Sequence, residues 1–422
     1  MRLLPLLAAL LLVSASPTLP LRPALAAPKL KLSSRGELGA EGRAFWPDGE
    51  AASQDYNAAV LARLEIKAKL KPLSLRFRAF ARFDPTDNER SAFILEEAFL
   101  QFKRRWLRIR AGFVLLNWSA TEAFHPADVI NSRYFDSNLE NAEKYGELMV
   151  AARLRWDSGN VELFFLPLVS DPRFSSAASR FNFGPPGTSL GDAARVTLGG
   201  EAGDSALMPN WAVQLQQTIG KADLALSIVQ HVDRQQPLVY LDPVAQRPRP
   251  VFQPFWQAAL TYQHALGAFL LKSEVAYRIY REAEASAERP TLPDRDHAVL
   301  AAGAEYTIGH TGGAESTLIL EGQAVLGYPS GQGVGLRPLF DNDALAAYRL
   351  AFNDAYSREL FASVIVDVTA PDQLMVNISY GQRLSDVWAF KVGLRFVHLP
   401  PDDPQNPEGF ENLHEAHQLY GS

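Results

Sequence analysis

Two adjoining stretches, NAAVLARLEIKAKL at residues 57–70 and LSLRFRAFARF at residues 73–83, decide how the chain is read. In the first, Ala58, Val60, Ala62, Leu64, Ile66, Ala68 and Leu70 alternate with Asn57, Arg63, Glu65, Lys67 and Lys69. After a break at Lys71-Pro72 the parity inverts. Leu73, Leu75, Phe77, Ala79, Ala81 and Phe83 fall on one face, and Ser74, Arg76, Arg78 and Arg82 on the other. A side-chain period of two is the mark of a β-strand with unlike faces. Pairing Leu70 with Leu73 predicts Glu65 opposite Arg78, as an ion pair, and Lys67 opposite Arg76, two like charges.

The same rule recurs almost to the end of the chain. Alternation predicts further strands near residues 37–46, 97–103, 107–113, 147–156, 161–169, 211–219, 222–232, 255–265, 267–280, 297–308, 317–328, 359–368, 374–382 and 386–398, about sixteen in all. The stretch 161–169 is the least clear, because both its faces are apolar apart from Glu162. Connections alternate short and long. The short ones lie at residues 71–72, 104–105, 157–160, 220–221, 266, 309–313 and 371–372. Five of the seven Trp (46, 156, 211, 256 and 388) sit on apolar faces near strand ends, while Trp106 and Trp118 flank the fifth strand.

The chain opens with Met1-Arg2, an apolar run from Leu3 to Val13 and Ala24-Leu25-Ala26, the build of a cleaved export signal at residues 1–26. That run is too short to cross a bilayer as a helix. Without the leader's Arg2 and Arg22, 39 basic residues stand against 47 acidic ones. This mild acidity argues against a nucleic-acid partner. There is no cysteine, hence no disulfide and no lipidated N-terminal Cys. Residues 27–399 show no linker or shift of composition. Residues 400–422, rich in Pro and acid, are expected to form a flexible periplasmic tail.

A soluble sandwich also alternates, but these strands exceed the five or six residues common in soluble sheets and match the roughly nine to eleven of a tilted bilayer crossing. Short turns, long loops, aromatic strand ends and an even strand count predict an all-β fold, a transmembrane antiparallel up-and-down β-barrel of about sixteen strands in the bacterial outer membrane. Short turns would be periplasmic and long loops extracellular. Lipid and lipopolysaccharide would surround the barrel, or a neighbouring copy in a homotrimer, and the barrel-assembly machinery would insert it.

Two local features carry a family resemblance. The last predicted strand, KVGLRFVH at 391–398, contains Lys391, Gly393 and Phe396 in a polar-x-Gly-x-x-aromatic arrangement. The long connection 117–144 contains WSATEAFHPADVIN at 118–131. Both features resemble bacterial outer-membrane porins and porin-like channels of about sixteen strands. In those barrels the first is an assembly signal and the second a loop that folds inward and narrows the lumen. The resemblance implies passive diffusion of small hydrophilic solutes.

A barrel of this size encloses water. Alternation then places Arg63, Lys67, Arg76, Arg78, Arg82, Lys103, Arg108, Arg110, Arg153 and Arg155 on the pore wall. The acidic wall residues would be Glu37, Glu41, Glu65, Glu97, Glu147, Glu274, Glu305, Glu321, Glu359 and Asp367. Loop acids Glu122, Asp128, Asp136, Glu140 and Glu143 could face the basic wall across a constriction, giving a transverse field with a preference for anions. The bland reading is that a wet lumen needs polar residues that neutralise one another. No nucleophilic cysteine or G-x-S-x-G elbow is present, so no enzyme is expected. No cofactor is expected, and no metal site: His414 and His417 read as a solvated tail, and Asp84, Asp87, Glu89, Asp341 and Asp343 as polar loops. The alternatives are a substrate-specific transporter for an organic acid or hydrophobic compound, and a structural or adhesive barrel with a closed lumen.

Overall fold

The structure, a computed structural model, describes residues 29–46, 54–135, 142–181, 194–196, 202–203, 205–241, 248–282, 284, 291–328, 340–398 and 417–422. The leader 1–26, and Asp136, Glu140 and His414, lie outside the described residues.

Eighteen antiparallel strands close into one sheet. They are Lys31–Phe45, Tyr56–Leu70, Leu73–Phe83, Ala92–Arg104, Leu107–Val114, Glu147–Arg155, Gly159–Leu168, Leu207–Ile219, Ala222–Val232, Pro254–Leu266, Phe269–Tyr280, His297–Gly309, Glu315–Leu326, Asp343–Ala351, Glu359–Asp367, Leu374–Arg383, Ala389–His398 and Gln418–Gly421. Each pairs with its neighbour in sequence. The last closes the ring by pairing with Val392–Arg395 on one side and Gly42–Phe45 on the other. No helix among the described residues is long and apolar enough to cross a membrane.

Three expectations do not hold. The count is eighteen, not sixteen. Asp343–Ala351 is easily missed in the sequence because the contrast between its faces is confined to Asp343 and Arg349: between them Leu345 and Ala347 are buried inside the barrel, while Ala344 and Ala346 face outward. With only small and apolar residues across its middle, the period of two is faint there. The extra strand also inverts the direction of the strands after it, so the connection at residues 371–372 belongs to the rim of long loops and not to the rim of short turns. Residues 400–422 are not wholly a tail, because Gln418–Gly421 enters the wall. Lys391, Gly393 and Phe396 therefore lie on the seventeenth strand. Gly393 has a structural reason there: a Cβ would collide with the Tyr420 ring.

The hairpin of residues 56–83 has the predicted register, with Leu70 opposite Leu73, Glu65 opposite Arg78 and Lys67 opposite Arg76. The expected Glu65–Arg78 pair does not form. A register shift at Arg78/Ala79 brings Glu96 and Glu97 inward on the next strand, and Arg78 Nε meets Glu96 at 2.9 Å. Glu65 turns to Lys67 at 2.7 Å and Arg76 at 3.2 Å, which relieves the like-charge contact.

Outside, the barrel carries a belt of exposed Leu, Ile, Val and Phe, including Leu64, Leu75, Leu163, Leu226, Leu320 and Leu394. Such a continuous apolar surface fits hydrocarbon rather than water. Six of the seven Trp are exposed at its margins. Trp106, Trp156 and Trp388 stand at the turn rim; Trp46, Trp211 and Trp256 stand at the loop rim, the last two edge to face at 4.9 Å. Trp118 is the exception. It is buried inside, where its ring meets Phe164 edge to face at 5.4 Å.

Candidate functional site

Trp118 belongs to the connection 117–144, which turns into the barrel. Its conformation is fixed by its own side chains. Asn131 Oδ1 accepts from the Leu116 N–H at 2.8 Å, and Asn131 Nδ2 donates to the Val114 and Tyr145 carbonyls at 3.0 and 2.8 Å. Asp128 accepts from Arg133 at 3.1 Å and from Lys144. Trp118, Val129 and Ile130 then cover Met149, Phe164, Leu166 and Ala212 on the inner wall. That cover explains why the strand around Glu162 is apolar on both faces: one sees the outside belt and the other sees the loop.

The far wall holds the loop by buried charge. Glu274 Oε1 accepts from Ser119 Oγ at 2.8 Å, Ala120 N–H at 2.5 Å, Thr121 N–H at 3.1 Å and Thr121 Oγ1 at 2.8 Å. Its Oε2 accepts from Ala127 N–H at 3.0 Å. Glu321 accepts from the N–H groups of Glu122 and Ala123 at 2.6 and 2.9 Å. Gly303, opposite Glu321, leaves room for this, since a Cβ there would come within 2.5 Å of Glu321 Cγ. Lys272 bridges Glu122 at 2.7 Å and Glu305. Glu147 accepts from Ser132 N–H at 3.1 Å and from Arg234. A buried carboxylate needs such a full set of donors, because an unmet charge would cost several kcal/mol.

Among the described residues, the acids expected on the loop, Glu122, Asp128 and Glu143, are thus each engaged with basic side chains. Burial opposes ionisation at Glu122, yet the hydrogen bond and charge of Lys272 outweigh it and hold the carboxyl below its ordinary range. Asp128 is engaged inside the loop. Glu143 lies near Arg63 and Arg82, each at 3.8 Å, and burial outweighs them to raise its carboxyl.

The His125 ring bonds Ser119 Oγ through Nδ1 at 2.6 Å. Burial, aided by the charge of Arg133, holds its pKa below the ordinary value, while Asp128 and Glu274 oppose the shift and Lys144 adds to it. The unfolded loop therefore takes up a proton at a higher pH than the docked loop. Docking should be at full strength above about pH 6.5 and weaken as pH falls from there toward the docked-state value. Protease cleavage of the loop, followed against pH, should show this rise in acid, and His125→Gln should flatten it.

The remaining lumen is lined by the basic wall. Lys67, Arg63 and Arg76 keep side-chain exposures of 51%, 38% and 35%, whereas Glu274 is fully covered by the loop. A cavity of about 340 Å³ opens among Arg35, Glu37, Arg63, Glu65, Arg78 and Glu96. Most of this wall is paired. Arg63 reaches Glu96 at 3.4 Å and Glu37 at 3.9 Å, Arg76 reaches Glu97 at 2.7 Å, and Arg82 reaches Glu41 at 3.1 Å. The surplus lies toward the turn rim. Arg108, Arg110 and Arg153 share the single carboxylate of Glu162, leaving two positive charges over. Lys103 and Arg155 make no ion pair among the described residues. On the other side of the lumen, Glu359 lies 3.9 Å from Arg349, and Asp367 accepts from the N–H groups of Thr369 and Ala370.

Three organising residues are missing from the predicted wall. Glu96 is hidden by the register shift, whereas Lys272 shares the inward parity of Glu274 and is legible by the same rule. Glu162 is visible as the single charge of its strand. The loop candidates Asp84 and Asp87 satisfy their own turn, Asp84 holding Arg90 and the Thr86 N–H.

Toward the loop rim, residues 170–181 cross the mouth. Phe181 packs edge to face on Phe45 at 5.8 Å, Ser176 bonds Asp87 at 2.6 Å, and Arg180 donates to the Gln54 carbonyl at 3.0 Å.

No family model and no curated protein matches the chain. Solved structures do. OccAB1 of Acinetobacter baumannii superposes with a TM-score of 0.50 at 8% identity, over 92% of this chain and 94% of that one. OccK11 of Pseudomonas aeruginosa gives 0.47 at 10% identity, over 93% and 94%. Wzi, an outer-membrane protein of Escherichia coli described as a carbohydrate-binding β-barrel, gives 0.47 at 9%, over 92% and 83%. In its closed antiparallel sheet, inward loop and exterior apolar belt, the chain has the fold of bacterial outer-membrane porins and porin-like barrels.

Proposed function

We propose that the protein is an outer-membrane channel through which small hydrophilic solutes diffuse past the loop 117–144, with a preference for anions. The observation that carries this reading is the asymmetry of the lumen. The loop is pinned against one side by Glu274 and Glu321, and the water-accessible side is lined by Arg63, Lys67, Arg76 and Arg78. The unpaired surplus around Glu162 adds positive potential near the turn rim, where a low-dielectric wall focuses it.

Reversal potential across planar bilayers in a salt gradient tests the proposal. The wild type should favour chloride over potassium. Arg76→Glu with Arg78→Glu should move the reversal potential toward the cation side, by a shift that shrinks at high salt as screening sets in. A folded protein with no ion conductance would sink the channel reading. That outcome would favour the second reading, a barrel shut at its loop rim, for which the crossing of residues 170–181 to Phe45 and Gln54 speaks.

A further inference from the structure

Beneath the inward loop, toward the turn rim, lies a cavity of about 520 Å³, within the roughly 300–1,000 Å³ typical of small-molecule sites. Its inner lining differs from the charged wall opposite. Asn160, Gln214, Gln216, Thr261, Gln263 and Ser119 supply carboxamides and hydroxyls, and Trp118 and Trp156 supply rings. Charge enters through Arg155, Asp157 and Asp223.

The amides form a polarised chain. Asn160 Nδ2 donates to Gln216 Oε1 at 2.9 Å, and Gln216 Nε2 donates to Gln214 Oε1 at 2.9 Å. Each end is left with an unused function. Asn160 Oδ1 is a buried acceptor without a partner, and Gln214 Nε2 donates no hydrogen bond among the described residues. Gln263 donates to the Ala120 carbonyl at 2.9 Å, so the loop itself fixes that amide. A buried acceptor such as Asn160 Oδ1 is ordinarily satisfied, and both residues line a cavity large enough for a ligand.

An acceptor and a donor at opposite ends of one amide chain suit a ligand whose groups both donate and accept. Hydroxyl groups do so; carboxylates only accept and ammonium groups only donate. A partly exposed ring such as Trp156 offers a flat apolar surface to the C–H face of a pyranose.

We propose that this cavity is a binding subsite for a polyhydroxylated solute, a mono- or disaccharide, taken up from the lumen. The proposal rests on the channel reading only for the ligand's route. Its test is therefore binding rather than conduction. Sucrose is titrated into the intact detergent-solubilised protein while tryptophan fluorescence is followed, since Trp118 and Trp156 border the site. The wild type should show a saturable change. Gln214→Leu and Gln216→Leu, which keep the side-chain volume but break the chain, should each weaken it about tenfold, the scale of one hydrogen bond lost inside a closed site. Arg358→Gln, in the turn at residues 352–358 and away from the cavity, should leave it unchanged.

A folded wild type without a saturable response would overturn the subsite, as would equal responses from the Gln variants. Bilayer recordings separate the two readings. Sucrose binding without conductance defeats the channel and supports the subsite; conductance without sucrose binding defeats the subsite alone.

Discussion

Glu274→Leu is expected to release the loop 117–144 while leaving the barrel assembled. The carboxylate is fully buried and accepts from Ser119, Ala120, Thr121 and Ala127. Leucine removes the acceptor and leaves three backbone N–H groups and two hydroxyls to seek other partners. Hydrogen bonds to a charged group contribute about 1.5–3 kcal/mol each, and breaking a buried charge network about 3–5 kcal/mol. Local opening of the loop should become easier by at least about 3 kcal/mol, roughly two decades in the opening equilibrium. Amide exchange at Ala120, Thr121 and Ala127 should accelerate accordingly. If the protein conducts, its current should grow larger and noisier. Unchanged exchange at those amides would mean that the apolar cover of Trp118, Val129 and Ile130 fixes the loop without the carboxylate.

The second large effect concerns the outer belt. Leu64 faces outward in the middle of its strand, opposite Ala79 on one neighbour and Gly36 on the other, and is 45% exposed. Leu64→Arg should cost about 2–4 kcal/mol, the penalty for a cation at mid-bilayer on the lipid side. Ser74→Arg, on the lumen side of the adjacent strand and near the turn rim, should cost little. The folded fraction after refolding into lipid, read by the gel shift between unheated and heated samples, distinguishes them. Equal yields from the two variants would show that the belt does not face lipid.

The chain exposes its fold wherever the two faces of a strand see different surroundings. Residues 56–83 face hydrocarbon on one side and water on the other, so charge alternates with apolar side chains and even the register follows from the turn. The signal fades where the inner face sees protein. Phe164 and Leu166 meet the loop, and Leu345 and Ala347 lie in a cluster with Phe124 and Phe45. Both strands are faint in the sequence, the second keeping only Asp343 and Arg349 as charges on its inner face. The wall residues are legible individually because parity alone assigns a face. Their partners are not, because Arg78 takes Glu96 only after a register shift, and Glu162 gathers Arg108, Arg110 and Arg153 from two other strands. The loop anchors are legible as inward acids; their ligands are backbone N–H groups, on which sequence is silent.

Those anchors also bear on the order of assembly. Glu274 is separated from the groups it holds by 147 to 155 positions, and Glu321 by 198 and 199. The loop's own staples, Asn131 and Asp128, bridge at most 17. Local closure precedes distant closure on entropic grounds. The loop can therefore take shape and cover Met149, Phe164 and Leu166 early, yet it lacks its carboxylate anchors until Phe269–Tyr280 and Glu315–Leu326 have joined the wall. An assembling barrel is wide in its early stages and acquires its constriction near the end. A chain stalled before the thirteenth strand would carry a formed loop over an unguarded lumen.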